Sequence, residues 1–121
     1  MEKYEELLVS LRKVIRAIDL YSRKLNKETG LTSPQVIVLQ EIAAHDGLMV
    51  KDIAQHINLS SATVTSILDR LENRQLVVRE RSSKDKRKVE LHLTDQGINI
   101  LKDAPMPLQA HFITRFKKLE E

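Results

Sequence analysis

Residues 50–69 read VKDIAQHINLSSATVTSILD, and the fold turns on this stretch. Its first part, Lys51 to Ile57, is short, with Ile53, Ala54 and Ile57 spaced to share one helical face. Asn58-Leu59-Ser60 follows as a tight turn, and asparagine takes a left-handed backbone at low cost. Ser60 suits the N-cap of a second helix that runs to about Asn73 or Arg74. There Val64, Ile67, Leu68 and Leu71 form an apolar face, while Ser61, Thr63, Thr65, Ser66, Asp69 and Arg70 lie opposite. Two short helices crossing steeply need a small residue where they touch, and Ala54 supplies it. Ile53, Ile57, Leu59, Val64 and Ile67 are the expected apolar pegs that hold the angle. The segment reads as a helix-turn-helix.

Upstream, Thr32 is an expected N-cap, with Pro34 in the first turn and Gln35 at the capping-box spacing. Val36, Leu39, Ile42 and Ala43 are the predicted buried face, and Gly47 suits a left-handed C-cap. Before it, a long helix is predicted from about Glu5 to Lys27. Tyr4, Leu7, Leu11, Val14, Ile18, Tyr21 and Leu25 alternate by three and four, and Leu8 and Ile15 widen the stripe. A face this wide is expected to meet a core and a second subunit, although core packing alone also accounts for it. Thr29-Gly30 ends that helix.

Downstream the period changes to two. Leu76 to Arg79 begins one strand, and Val89, Leu91 and Leu93 alternate with Glu90 and His92 in another. Ser82 to Arg87 is the polar hairpin loop between them. Thr94 caps a further helix, Pro105 and Pro107 interrupt it, and Leu108, Phe112, Phe116 and Leu119 make a last stripe.

The chain of 121 residues suits one domain, with 41% hydrophobic and 31% charged residues. No run approaches the roughly 18 apolar residues of a membrane span. The polar, acidic start at Met1-Glu2-Lys3 lacks a signal pattern, so a cytoplasmic location is expected. Without cysteine there are no disulfides, thiolate metal sites or thiol sensing. The aromatics Tyr4, Tyr21, Phe112 and Phe116 are too few for a single-strand stacking platform. Net charge is +3, yet the six basic and two acidic residues of Arg79–Lys88 leave +4 there. That reads as a local anion-binding patch on an otherwise balanced chain, the alternative on charge alone being a solvated charged loop.

An enzyme is not expected. No glycine-rich phosphate loop or cysteine nucleophile is present, and His45, His56, His92 and His111 are scattered without metal spacing. Those histidines read as surface or cap residues, and neither cofactor nor metal is expected. Small hydroxyls on the second helix allow close approach to a DNA major groove, and a helix N-terminus favours phosphate. A basic-tipped ribbon directly after it can reach neighbouring phosphates or the minor groove. The alternative is a winged-helix protein-interaction module, or the regulatory part of a longer protein; the basic wing favours DNA.

These residues resemble the MarR family of bacterial regulators over nearly the whole chain. The most specific match is Asp85-Lys86-Arg87, then five residues, then Leu93-Thr94, two more and Gly97. Leu31-Thr32 with Gln35, Ser61-Ala62-Thr63-Val64-Thr65, Leu71-Glu72 and Leu76-Val77 fit as well. The resemblance implies a mainly α fold with a small β-hairpin wing in a single domain, residues 1–121. A winged helix-turn-helix lobe at about 32–93 would lie between dimerisation helices at about 5–28 and 95–121.

It further implies a homodimer that binds a pseudo-palindromic duplex operator, with repression the commoner mode. Ser60, Ser61, Thr63, Thr65, Ser66 and Arg70 would face the major groove. Arg87 would enter the minor groove, Asp85 would orient the loop by pairing with an arginine, and Arg79, Lys84, Lys86 and Lys88 would hold the backbone. A small-molecule effector is a further implication, with Leu11, Ile15, Val36 and Phe112 as residues that could line its cleft, although core packing is their ordinary role. The chain departs from the family at Ser66, often arginine there, and at Gln75, often glycine. A left-handed Gln75 would cost about 1 kcal/mol. The tail is short for a family whose interface is usually completed by a further helix.

Overall fold

The computed structural model describes residues 2–104. In order these are α1 (Lys3–Thr29), α2 (Ser33–Ala44), α3 (Val50–Ile57), α4 (Ser61–Asn73), β1 (Val77–Arg81), β2 (Val89–Leu93) and α5 (Asp95–Asp103). Pro105, Pro107 and the stripe from Leu108 to Leu119 lie outside the described residues, as does the greater part of the expected second dimerisation helix.

α1 stops because Gly30 turns left-handed at φ 73° and donates its N–H to the Asn26 carbonyl. Buried Thr29 secures the exit: its hydroxyl donates to the Leu25 carbonyl at 2.7 Å and accepts from the Leu31 N–H at 3.1 Å. Only Ala17, Tyr21, Leu25 and Thr29 of this helix are buried. Tyr4, Leu7, Leu11 and Ile15 stay 47–64% exposed. The long stripe therefore divides into a core-facing end and an uncovered end.

α2 starts with the expected capping box. The Thr32 hydroxyl accepts from the Gln35 N–H, and the Gln35 side chain accepts from the Thr32 N–H. Its buried residues are Val36, Val38, Leu39 and Ile42. Ala43, expected inside, is exposed, and Val38 takes its place. α2 packs against α3, α4, α5 and β2, so it is buried on several sides and a single-stripe reading misjudges its faces. Gly47 is left-handed as expected, at φ 84°, but the helix has already ended at Ala44. Its N–H donates instead to the Leu91 carbonyl.

Asn58 caps α3 at φ 56°, the turn required for the steep crossing onto α4. Ile53, Ala54, Val64, Leu68 and Leu71 fill the interface, with Ile57 and Ile67 packed on its edge. Leu59, expected as a peg, is 37% exposed and faces a groove instead. β1 and β2 pair antiparallel, Val77 opposite Leu93 through Arg81 opposite Val89. Leu91 is buried while Val89 is 40% exposed, because the ribbon runs past the end of the core.

Two devices fasten this ribbon. At its base, Gly97 packs so closely that a Cβ there would lie 2.2 Å from the Leu76 carbonyl oxygen. The Thr94 hydroxyl accepts from the Gly97 N–H at 3.0 Å and donates to the Gln75 carbonyl at 2.6 Å. The Thr94 N–H reaches the Leu76 carbonyl at 3.1 Å. These bonds hold Gln75 at φ 61°, a strained left-handed backbone for a residue other than glycine. The second device is a clamp to the α2–α3 loop. Leu91 donates its N–H to the Leu48 carbonyl at 2.9 Å, and His92 Nδ1 meets Asp46 at 2.8 Å. Glu90 and Glu80 approach the other ring nitrogen at 3.5 and 4.0 Å.

Gly97→Ala should lower unfolding free energy by about 3 kcal/mol in urea titration, since backbone on the far side cannot yield easily. Exposed Gln96→Ala should be near neutral.

The bond to Asp46, then the charges of Asp46, Glu80 and Glu90, hold the His92 pKa above its ordinary 6.5 against the opposing effect of burial. A raised pKa means that the fold prefers protonated His92. That stabilisation is complete below pH 6.5 and is lost as pH rises through the higher folded value. Urea midpoints should therefore fall between about pH 6 and about pH 8, and His92→Gln should flatten the slope.

Candidate nucleic-acid interface

The N-terminus of α4 is built by Ser60. Its hydroxyl accepts from the Thr63 N–H at 3.1 Å and contacts the Thr63 hydroxyl at 2.8 Å. This leaves Ser60, Ser61, Thr63, Ser66 and Arg70 exposed around the part of the helix turned away from the core, with Thr65 half-buried. Six of the residues expected to face a groove are therefore brought together on one element. The N-terminus of α2 opens onto the same side. Thr32, Pro34 and Gln35 with Leu59, Thr63, Ser66, Ile67 and Arg70 line a shallow groove of about 320 Å³.

The wing loop is shaped by Ser82, a buried hydroxyl in a basic hairpin. It accepts from the N–H groups of Lys84 and Asp85, each at 3.2 Å. Backbone bonds from Ser82 to Lys88 and from Lys88 to Asp85 close the turn. Asp85 then accepts from the Arg87 backbone N–H and Nε at 3.1 Å and from Nη2 at 3.3 Å. The Arg87 side chain is nonetheless 91% exposed, so it is aimed outward by its carboxylate partner without being buried. These same bonds, side chain first, hold the Asp85 carboxyl below the usual carboxylate range. Lys84, Lys86 and Lys88 are exposed and form no ion pair among the described residues.

Arg79 departs from expectation. Its guanidinium is half-buried and engaged by Asp69 at 2.7 Å and by Glu72, both on α4. A phosphate contact would have to displace two carboxylates. The position has another use: it neutralises the acidic residues along the outer side of α4 and ties β1 to that helix. Arg81 is also committed, donating to the Lys86 carbonyl at 2.9 Å and bracing the wing loop.

Three contacts carried no local sequence signal. Arg74 donates to the Gly30 and Thr29 carbonyls at 3.3 and 3.2 Å, bolting the end of α4 to the end of α1 across more than 40 residues. His92 sits in the carboxylate clamp described above. His45 and His56, which read as scattered, lie together with Glu41 at the α2–α3 joint. Of the residues considered for an effector cleft, Leu11 and Ile15 are exposed, Val36 belongs to the core, and Phe112 lies outside the described residues. No helix among the described residues is long and apolar enough to cross a membrane.

Comparison with known proteins agrees with this geometry. The chain is 37% identical over 97 residues to the HTH-type transcriptional regulator MgrA of Staphylococcus aureus, covering 79% of this chain and 66% of that protein. It is 32% identical over 92 residues to the HTH-type transcriptional repressor MdtR of Bacillus subtilis, covering 76% and 59%. It thus spans roughly three fifths to two thirds of these relatives. Its fold matches that of S. aureus MepR in a complex with DNA, with TM-score 0.69 and 25% identity over 98% of this chain and 80% of that one. Residues 31–89, from just before α2 to the first residue of β2, match the MarR family, and the chain belongs to it.

Proposed function

We propose that this protein is a transcription regulator that binds duplex DNA in a sequence-specific way as a homodimer, with repression as its mode. The reading rests above all on one observation. An exposed hydroxyl face on α4 has its flanking acids neutralised by Arg79, and a wing with four outward cations follows it directly. Small hydroxyls let the backbone of α4 approach base edges, where bulky side chains would hold it off. Ser60, Ser61, Thr63, Thr65 and Ser66 serve that approach, and Arg70 extends to base or phosphate. Arg87, preset by Asp85, enters the minor groove, while Lys84, Lys86 and Lys88 neutralise phosphates. We withdraw Arg79 from the direct contacts and assign it to positioning.

The uncovered apolar end of α1 supports the dimer. Tyr4, Leu7, Leu11 and Ile15 form an exposed stripe of the kind that marks an interface. The DNA-bound structure of the related MepR supports the partner class. On this reading the chain acts by binding and not by catalysis, and a cytoplasmic location follows from access to DNA.

Salt dependence tests the proposal. A dimer that neutralises about 8 phosphates should give a slope of log K against log[salt] near −7. Arg87→Ala removes one cation from each wing, so the slope should become shallower by about 2. A slope near zero, unchanged by Arg87→Ala, would exclude DNA as the partner of this surface.

A further inference from the structure

We infer that Glu41, His45 and His56 form a binding site for a divalent transition ion of the zinc class at the α2–α3 joint. The site is independent of the DNA reading. Glu41 lies in the last turn of α2 and His45 is its C-cap, with the His45 N–H donating to the Glu41 carbonyl. His56 comes from the last turn of α3. One ligand atom from each lies within 4.8 Å of the other two. His56 Nδ1 is 2.9 Å from a Glu41 carboxylate oxygen, and the His45 and His56 rings sit edge to face with centroids 5.6 Å apart. Two imidazoles on one tetrahedral zinc, with Zn–N bonds of about 2.0–2.1 Å, place their ring centres about 5 Å apart.

An ion pair between His56 and Glu41 would by itself explain those two residues. It leaves unexplained the second imidazole, whose ring closes on the first. Two nitrogens and one carboxylate oxygen are a borderline-soft donor set. Such a set suits zinc and its neighbours, whereas magnesium and calcium require mostly oxygen. Both histidines are exposed and Glu41 is partly so, which leaves an entry path and an open position for water. A bound ion would take the place of the direct contact between His56 Nδ1 and the Glu41 carboxylate. It would cross-link α2, the central helix of the core, to α3, the first helix of the helix-turn-helix.

The test is titration of the chelator-treated full chain with cobalt(II), followed by displacement with zinc. The expected result is one ion per chain, a visible absorption of tetrahedral intensity, and loss of that band on adding zinc. His45→Ala and His56→Ala should each weaken binding by at least about tenfold, as loss of a direct ligand requires. His92→Ala, which alters the other carboxylate-rich histidine cluster, should leave it unchanged. The parent chain should gain melting temperature on adding zinc, and Glu41→Gln, which preserves size, should abolish that gain. No saturable binding, or binding unaffected by His45→Ala, His56→Ala and Glu41→Gln, would overturn the assignment.

Discussion

The close packing of Gly97 on the carbonyl oxygen of Leu76 fixes the junction on which the wing depends. It occurs where α4 has just ended, β1 is about to begin, β2 has just finished and α5 starts. A side chain at Gly97 would occupy the space that Leu76 backbone fills. Thr94 uses the same junction, capping α5 with its hydroxyl while that hydroxyl donates back to Gln75. The left-handed strain at Gln75 is thus borne by bonds on either side of it. The result is a wing whose root cannot pivot independently of α4. On the proposed function, reading DNA through two elements would depend on that fixed relation.

Charge on the outer surface is divided by role. Arg74, Arg79 and Arg81 are bound internally: to carbonyls at the end of α1, to carboxylates on α4 and to a carbonyl in the wing loop. They fasten the scaffold. Arg87 and the three lysines of the loop remain directed at solvent. The +4 of this segment therefore overstates what a ligand meets, yet the pairing also removes Asp69 as a repulsive charge beside the hydroxyl face. The net effect on an incoming polyanion is a local field carried by the wing tip and a near-neutral α4 that permits close approach.

Much of the fold was legible because its signals are local. Thr32 with Gln35, Ser60, Asn58, Gly30 and Thr94 each specify a cap or turn through atoms within five residues, and each behaves as its type requires. The second strand was legible in the alternation of Val89, Leu91 and Leu93 with Glu90 and His92. Leu59 and Ala43 were misplaced because burial there depends on which neighbour lies opposite, and periodicity carries no such information. The outward cations of the wing were legible as a charge block. Arg79 was not separable from them, since its partners come from α4 and only the folded ribbon brings them within reach. The same holds for Arg74 on Gly30 and for His56 beside His45, which meet only after the helices cross.

On the proposed function, α4 and the wing act as one rigid reader, duplicated by dimerisation through α1. Selection of bound duplexes from a random pool, followed by sequencing of the recovered fraction, addresses it most directly. The account predicts enrichment of a pseudo-palindrome whose half-sites lie about one helical turn apart, as a two-fold dimer of major-groove readers requires. Recovery of no common motif from that pool would contradict it.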